Sequence, residues 1–290
     1  MPLLITPSYI LSDQVEFPLT TSRIGYENFG KNALWSSSGA QINYPVSALN
    51  NEMTVRRWRA TTVVSWIQAD YFGEQDVDYI GINAHNLSGK MLDIYFNGES
   101  APSIEYSVGT NEAIMILFDK EDVSSLRIEI TGSDFAEIGV LFFGKVLEMP
   151  MPVDYNGLSP IQLSRKTKIM PRISDSGQFL SKTIINKGYE ANFSWKYLDD
   201  SWYRTYFDPF VVQALTRPFF IAWHPSSFPN EVVYGWIDED ISPSYMGVLD
   251  FFQVKFNMTA HSSIDVYADD EESSSASGSS GSSSSSGSGS

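Results

Sequence analysis

Apolar side chains along this chain recur at every second position over short stretches. In Leu126-Arg127-Ile128-Glu129-Ile130 aliphatic residues alternate with charges, which puts them on one face of a half-buried strand. Phe252-Gln253-Val254-Lys255-Phe256-Asn257-Met258 alternates in the same way. Further β-branched and aromatic runs cover 61–69, 77–84, 91–96, 113–118 and 137–143. Turn-like Tyr71-Phe72-Gly73-Glu74, Asn97-Gly98, Val108-Gly109-Thr110 and Thr131-Gly132-Ser133 separate strands at intervals typical of a β-sandwich. Later, 189–198, 231–237 and 248–260 read as strands. The stretch 200–215 has helical spacing, with a break or a new start expected at Pro209. The predicted class is all-β, with two layers per domain and one short helix in the second part.

Two changes of composition divide the chain. At Leu147-Glu148-Met149-Pro150-Met151-Pro152 a pair of prolines interrupts an apolar run, so folded parts are expected over 1–150 and 151–261. From 262 to 290 the sequence is acidic and then almost wholly Ser and Gly, a flexible coil with nothing to bury, although Ile264, Val266 and Tyr267 could extend the last strand.

Composition narrows the function. The 290 residues include 42% hydrophobic side chains, enough for one large or two ordinary cores. The net charge of -16 argues against nucleic acid or an anionic membrane as the main partner. There is no cysteine, so disulfides, thiolate metal sites and cysteine nucleophiles are excluded. No secretory leader and no 18-residue apolar run is present, from which synthesis and folding in cytoplasm and no membrane insertion are expected. With only His85, His224 and His261, and no zinc, phosphate-loop, dinucleotide or nucleophile-elbow motif, the chain reads as no enzyme, with no catalytic, cofactor or metal residues. His85 and His224 read more readily as structural than as ligands, and His261, bordering the tail, carries little information. Asp238-Glu239-Asp240 lacks the alternation of a calcium loop and reads as a solvated turn. Arg56-Arg57-Trp58-Arg59 is a compact basic patch that suits an anionic glycan or an acidic partner, but strand alternation would divide it between two faces.

Two runs resemble a known family. Asp76-Val77-Asp78-Tyr79-Ile80-Gly81-Ile82-Asn83-Ala84-His85-Asn86-Leu87 and Ala136-Glu137-Ile138-Gly139-Val140-Leu141-Phe142-Phe143-Gly144-Lys145-Val146-Leu147 are similar to the galactose-binding-like jelly-roll modules of tailed-bacteriophage structural proteins. Ser174-Asp175-Ser176-Gly177-Gln178-Phe179-Leu180, Arg217-Pro218-Phe219-Phe220-Ile221-Ala222-Trp223-His224-Pro225 and Val232-Val233-Tyr234-Gly235-Trp236 resemble a β-domain that accompanies that module in tail-region proteins. The resemblance spans about 54–260. It implies an N-terminal jelly-roll and a virion component of the tail or its tip, made in the host cytoplasm and assembled with other virion proteins and with copies of itself.

The leading expectation is therefore a structural subunit acting by protein–protein assembly. A carbohydrate-binding host-recognition protein is the alternative, with jelly-roll loops near Trp58, Tyr71, Phe72, His85 and Asn86 touching a surface glycan. A glycan hydrolase with a scattered acid pair ranks below both. Charge sharpens the division, because residues 1–150 carry 19 acids and 9 bases whereas 151–261 carry 11 and 10. The second part also holds 21 aromatic rings, more than a small core requires. It is therefore expected to make the larger assembly contacts, with the acidic first part facing solvent or a basic partner.

Overall fold

The computed structural model describes residues 3–5, 17–156, 158–247 and 250–262. The tail expected to be a flexible coil falls, from residue 263 on, outside the described residues. The chain is almost entirely β, and the first half is a jelly-roll sandwich made from one curled sheet. Its strands are β1 (Leu3–Ile5), β3 (Leu34–Ser37), β4 (Trp58–Arg59), β5 (Val64–His85), β6 (Met91–Phe96), β7 (Ile104–Ser107), β8 (Ile114–Thr131) and β9 (Glu137–Gly144), with β2 (Arg23–Gly25) left for the second sheet. The order is β4-β9-β5-β8-β6-β7, with β3 on β5 and β1 parallel to β8.

β5 and β8 are each one long strand where the sequence suggests two. The turn expected at 71–74 is instead a bend: Gly73 takes φ 98°, the register slips between Asp70 and Gln75, and pairing with β8 resumes beyond it. Glycine reaches that left-handed backbone without a Cβ clash, so the strand changes direction without ending. Lys120 reaches Asp76 across the bend at 2.8 Å. Residues 64–70 and 125–131 then form an outer layer with β3, β6 and β7, while 77–85 and 114–117 form an inner layer with β4 and β9. Ile67, Ile94 and Ile128 of the outer layer share one buried cluster with Ile80, Ile116 and Leu141 of the inner layer. As the alternation predicts, Leu126, Ile128 and Ile130 point inward, and Arg127 and Glu129 lie on the outer face.

Every residue of β9 is buried, because the inner layer is covered on both faces. Its second cover is a sheet ordered β10-β2-β14-β15-β17-β13, made by β10 (Leu147–Glu148), β13 (Gly188–Asp199), β14 (Phe219–Ala222), β15 (Val232–Trp236) and β17 (Phe251–His261), with β16 (Ser244–Tyr245) on β17. β2 and β10 precede Pro150, so strands from both sides of the expected boundary share this sheet. Two glycines allow the close approach. A Cβ on Gly25 would lie 2.4 Å from the Tyr79 ring, and one on Gly81 would lie 2.7 Å from the Phe220 ring. Phe142 meets Phe220 and Tyr234 edge-on, at centroid distances of 5.4 and 5.7 Å. Hydroxyls complete the seam, with Tyr79 donating to the Glu27 carbonyl and Tyr234 to the Glu52 carbonyl at 2.7 Å.

The helical stretch comprises α1 (Asp200–Trp202), a π turn (Tyr203–Phe207) and α2 (Asp208–Ala214). Asp199 caps it by accepting the Trp202 N–H at 3.0 Å. Of the break or new start expected at Pro209, the new start is found: α2 begins at Asp208, directly after the π turn, with Pro209 in its first turn. The Asp208 N–H reaches back five residues to the Tyr203 carbonyl, and this wide turn takes up the proline, whose ring would otherwise press on the preceding turn. Phe207 and Phe210 close a second core over Trp195, Phe219 and Phe256, which takes up much of the aromatic excess. Finally, β11 (Lys168–Ile173) and β12 (Phe179–Asn186) pair only with each other, as a hairpin outside both sheets.

Candidate functional site

The five residues expected to touch a glycan do not form one exposed face. Trp58 on β4 pairs with Ile138 and is wholly buried in the sandwich core. His85 also pairs with Ile138 and is buried; its Nε2 meets the Glu112 carbonyl at 2.9 Å, and its Nδ1 accepts the Leu87 N–H at 3.1 Å. Burial, with Arg57 and Lys90 nearby, lowers its pKa to about 4, so the ring is neutral at physiological pH. Asn86 is fully engaged: its amide donates to the Phe135 carbonyl at 2.9 Å and accepts the Glu137 N–H at 2.7 Å. Tyr71 lies toward the far end of β9, edge-on to Phe143 at 5.5 Å. The Phe72 side chain falls outside what the structure describes. The remaining histidines are structural too, since His224 Nδ1 accepts the Ser227 N–H and His261 contacts Asn83 at 3.2 Å.

A pocket does exist beside Trp58, built by the loop between β3 and β4. The buried Leu49 pins this loop to the sandwich. Gln41 N–H donates to the Arg59 carbonyl at 3.0 Å, and Arg59 N–H donates to the Tyr44 carbonyl at 3.3 Å, which laces the 41–44 turn along β4. The result is a cavity of about 330 Å³ lined by Asn43, Tyr44, Ser47, Val55, Arg56 and Arg57. Strand alternation here helps the site: Trp58 points inward, while Arg57 and Arg59 point outward together onto Glu137. Arg57 Nη1 lies 3.4 Å from one Glu137 oxygen, and Arg59 bonds the other. The Arg59 guanidinium also stacks on the Tyr44 ring, 4.8 Å from its centroid. Arg56 is exposed at the mouth and has no acidic partner among the described residues. One free guanidinium, a second spent only partly on a buried carboxylate, and a fixed phenol edge suit an anionic, hydroxyl-rich ligand.

The only part of this pocket singled out from the sequence was the Arg56–Arg59 run. Tyr44 and Glu137 carry no local signal, because the loop path and the β4–β9 register bring them there.

Two other places concentrate polar groups. On the outer face, Arg127 stacks on Trp66 at 4.6 Å and binds Glu129 at 2.5 Å, beside Gln68 and Tyr95, over a shallow depression of about 260 Å³. At the seam, Asp78 accepts the Val146 N–H at 2.6 Å; desolvation, with Glu148 and Glu27 adding to it, pushes its pKa up to about 7. Burial raises Glu27 as well. These carboxyls are held to backbone N–H groups, and the adjoining groove is lined by Glu27 but not Asp78, so these two do not face one cleft. Among the described residues no cluster fit to hold a metal occurs, and no helix is long and apolar enough to cross a membrane. Asp238, Glu239 and Asp240 form an exposed turn.

No protein-family model matches this sequence, and no curated protein does. Solved structures similar to part of the chain include carbohydrate-binding modules. A chitosan-binding module from a Paenibacillus chitosanase/glucanase is 13% identical, with a TM-score of 0.34, over 41% of this chain and 99% of the module. A family 32 module of Clostridium perfringens NanJ, solved with galactose, is 15% identical, with a TM-score of 0.36, over 42% and 98%. Another C. perfringens module, solved with GalNAc-β-1,3-galactose, is 9% identical at a TM-score of 0.36, over 41% and 100%.

Proposed function

We propose that the protein is a non-catalytic, carbohydrate-binding recognition protein whose loop-end pocket takes an acidic sugar. The observation that carries this reading is the cavity of about 330 Å³ in which Arg56 and Arg57 converge beside Tyr44. Its volume lies at the low end of small-ligand pockets, enough for a single sugar residue. A carboxylate or sulfate would engage Arg56, and sugar hydroxyls would meet Asn43 and Ser47. A glycan array comparing uronate-, sialate- and sulfate-bearing glycans with neutral ones tests this. Binding confined to the acidic set, and lost in Arg56→Ala, supports the reading. Binding to neutral glycans alone contradicts it.

A second reading is a structural subunit of a phage tail, made in the host cytoplasm and acting by assembly. It is favoured by the hairpin β11–β12, which presents apolar side chains with nothing packed on them. Finding the chain in purified particles supports it, and its absence from them removes it.

A further inference from the structure

Both strands of the hairpin are edge strands, and neither pairs with a strand of the two sheets. Every side chain of β11 is exposed, and Ile169, Met170, Ile173, Phe179, Leu180 and Ile185 are each between 46% and 67% accessible. Pairing of Ile169 with Ile184 and of Ile173 with Phe179 puts these four and Pro171 on one largely apolar face, with Lys182 on the same face opposite Pro171. A two-stranded ribbon is marginal in water by itself, and an uncovered apolar face of this kind marks a contact surface. The backbone ties only its base to the body, through Lys166 N–H to the Gly188 carbonyl at 2.8 Å and Glu190 N–H to the Ser164 carbonyl at 2.9 Å.

Charge says what covers it. Residues 165–187 contain Arg165, Lys166, Lys168, Arg172, Lys182 and Lys187 against the single acid Asp175, a net +5 in a chain whose total is -16. The near-neutrality of 151–261 is therefore a cancellation between a basic arm and an otherwise acidic body. Lys168, Arg172, Lys182 and Lys187 make no ion pair with any described residue. Their complement is abundant on the same chain: residues 1–150 carry 19 acids against 9 bases.

We infer that the hairpin 168–186 is an assembly arm whose partner is a second copy of this chain, the apolar face packing against the neighbour and the free lysines and Arg172 meeting its acidic surface. The six residues of β11 and eight of β12 give a reach of about 20 Å or more, enough to cross onto an adjacent subunit. The inference deepens the assembly reading and is separable from the glycan one. A monomeric chain would remove it without touching the pocket, and a failed glycan array would leave it intact.

The test is sedimentation velocity on the full chain over a range of concentrations and salt. Expected is a concentration-dependent oligomer that weakens as salt screens the charges. Ile169→Ser with Phe179→Ser should loosen association by about tenfold or more, since buried apolar anchors dominate such contacts. Arg172→Glu with Lys182→Glu should loosen it as well. Circular dichroism and the thermal midpoint should stay as in the wild type, because these side chains contribute nothing to either core. Neutralising the chain's own acidic run, Asp269→Asn, Asp270→Asn, Glu271→Gln and Glu272→Gln, should leave association intact. A wild-type chain that is monomeric throughout overturns the inference. So does association indifferent to both hairpin variants, or association abolished by the neutralised acidic run.

Discussion

Gly81 and Phe220 provide the sharpest test of how the jelly-roll and the second sheet are joined. A methyl group on Gly81 would sit 2.7 Å from two carbons of the Phe220 ring, well inside normal contact. That ring cannot easily move away. It is fully buried, with Tyr234 at 4.8 Å and Phe142 at 5.4 Å between centroids. Overpacking of this kind costs about 1–3 kcal/mol, so Gly81→Ala should destabilise by that amount. Phe220→Ala should cost about 3–5 kcal/mol, through lost burial and the cavity left behind. In the double variant the new methyl finds space, so the clash disappears and burial of one methyl adds back about 0.8 kcal/mol. The double-mutant cycle should therefore show a favourable coupling of at least about 1 kcal/mol. Denaturant unfolding monitored by tryptophan fluorescence and by circular dichroism reads both quantities. The two probes should report a single transition, because Trp58 lies in one core and Trp195 in the other. Additive effects, or separate transitions for the two cores, would refute the shared packing.

Asp78 should make stability fall as pH rises. Its carboxyl holds a proton to about pH 7 when folded, against an ordinary 3.8, so the folded state binds the extra proton between those values and loses that advantage above them. At about 1.36 kcal/mol per unit, the effect reaches at most about 4 kcal/mol. Asp78→Asn keeps an acceptor for the Val146 N–H, so its stability relative to wild type should rise between pH 4 and pH 8; a pH-independent difference would contradict this. Glu137→Gln should cost only about 1 kcal/mol, because Arg57 and Arg59 are each about a third exposed and water replaces the carboxylate. Its larger effect should be on the pocket, since Arg59 is no longer anchored over Tyr44, and glycan affinity should fall more than the thermal midpoint.

Alternation made the strands legible, because one face of each is wet. It also bears on the site: Arg57-Trp58-Arg59 is an out-in-out triplet, which places Trp58 in the core and both guanidiniums on one side. Aromatic identity alone favoured Trp58 as a contact, and pattern would have opposed it. His85 and Asn86 could not be judged from sequence, since their partners, the Glu112, Phe135 and Glu137 backbone groups, lie 27 to 51 positions away. The bend at 71–74 reads as a turn because Gly73 signals a change of direction equally well whether or not a strand continues through it. β9 shows burial on both faces as an unbroken apolar run, but that run does not name the second sheet that covers it. The basic hairpin was hidden by averaging, since its six bases were pooled with the ten acids of the surrounding segment.

In the proposed function the loop-end pocket recognises an acidic sugar through Arg56. Titration calorimetry with one acidic glycan and its carboxyl-reduced analogue, on wild type, Arg56→Ala and the outer-face control Arg127→Ala, tests it most directly. Loss of a charge-assisted hydrogen bond should weaken the acidic glycan by about tenfold or more in Arg56→Ala, leave Arg127→Ala unchanged and abolish the preference over the reduced analogue. Equal affinity for the two glycans, or a loss in Arg127→Ala with none in Arg56→Ala, would contradict it.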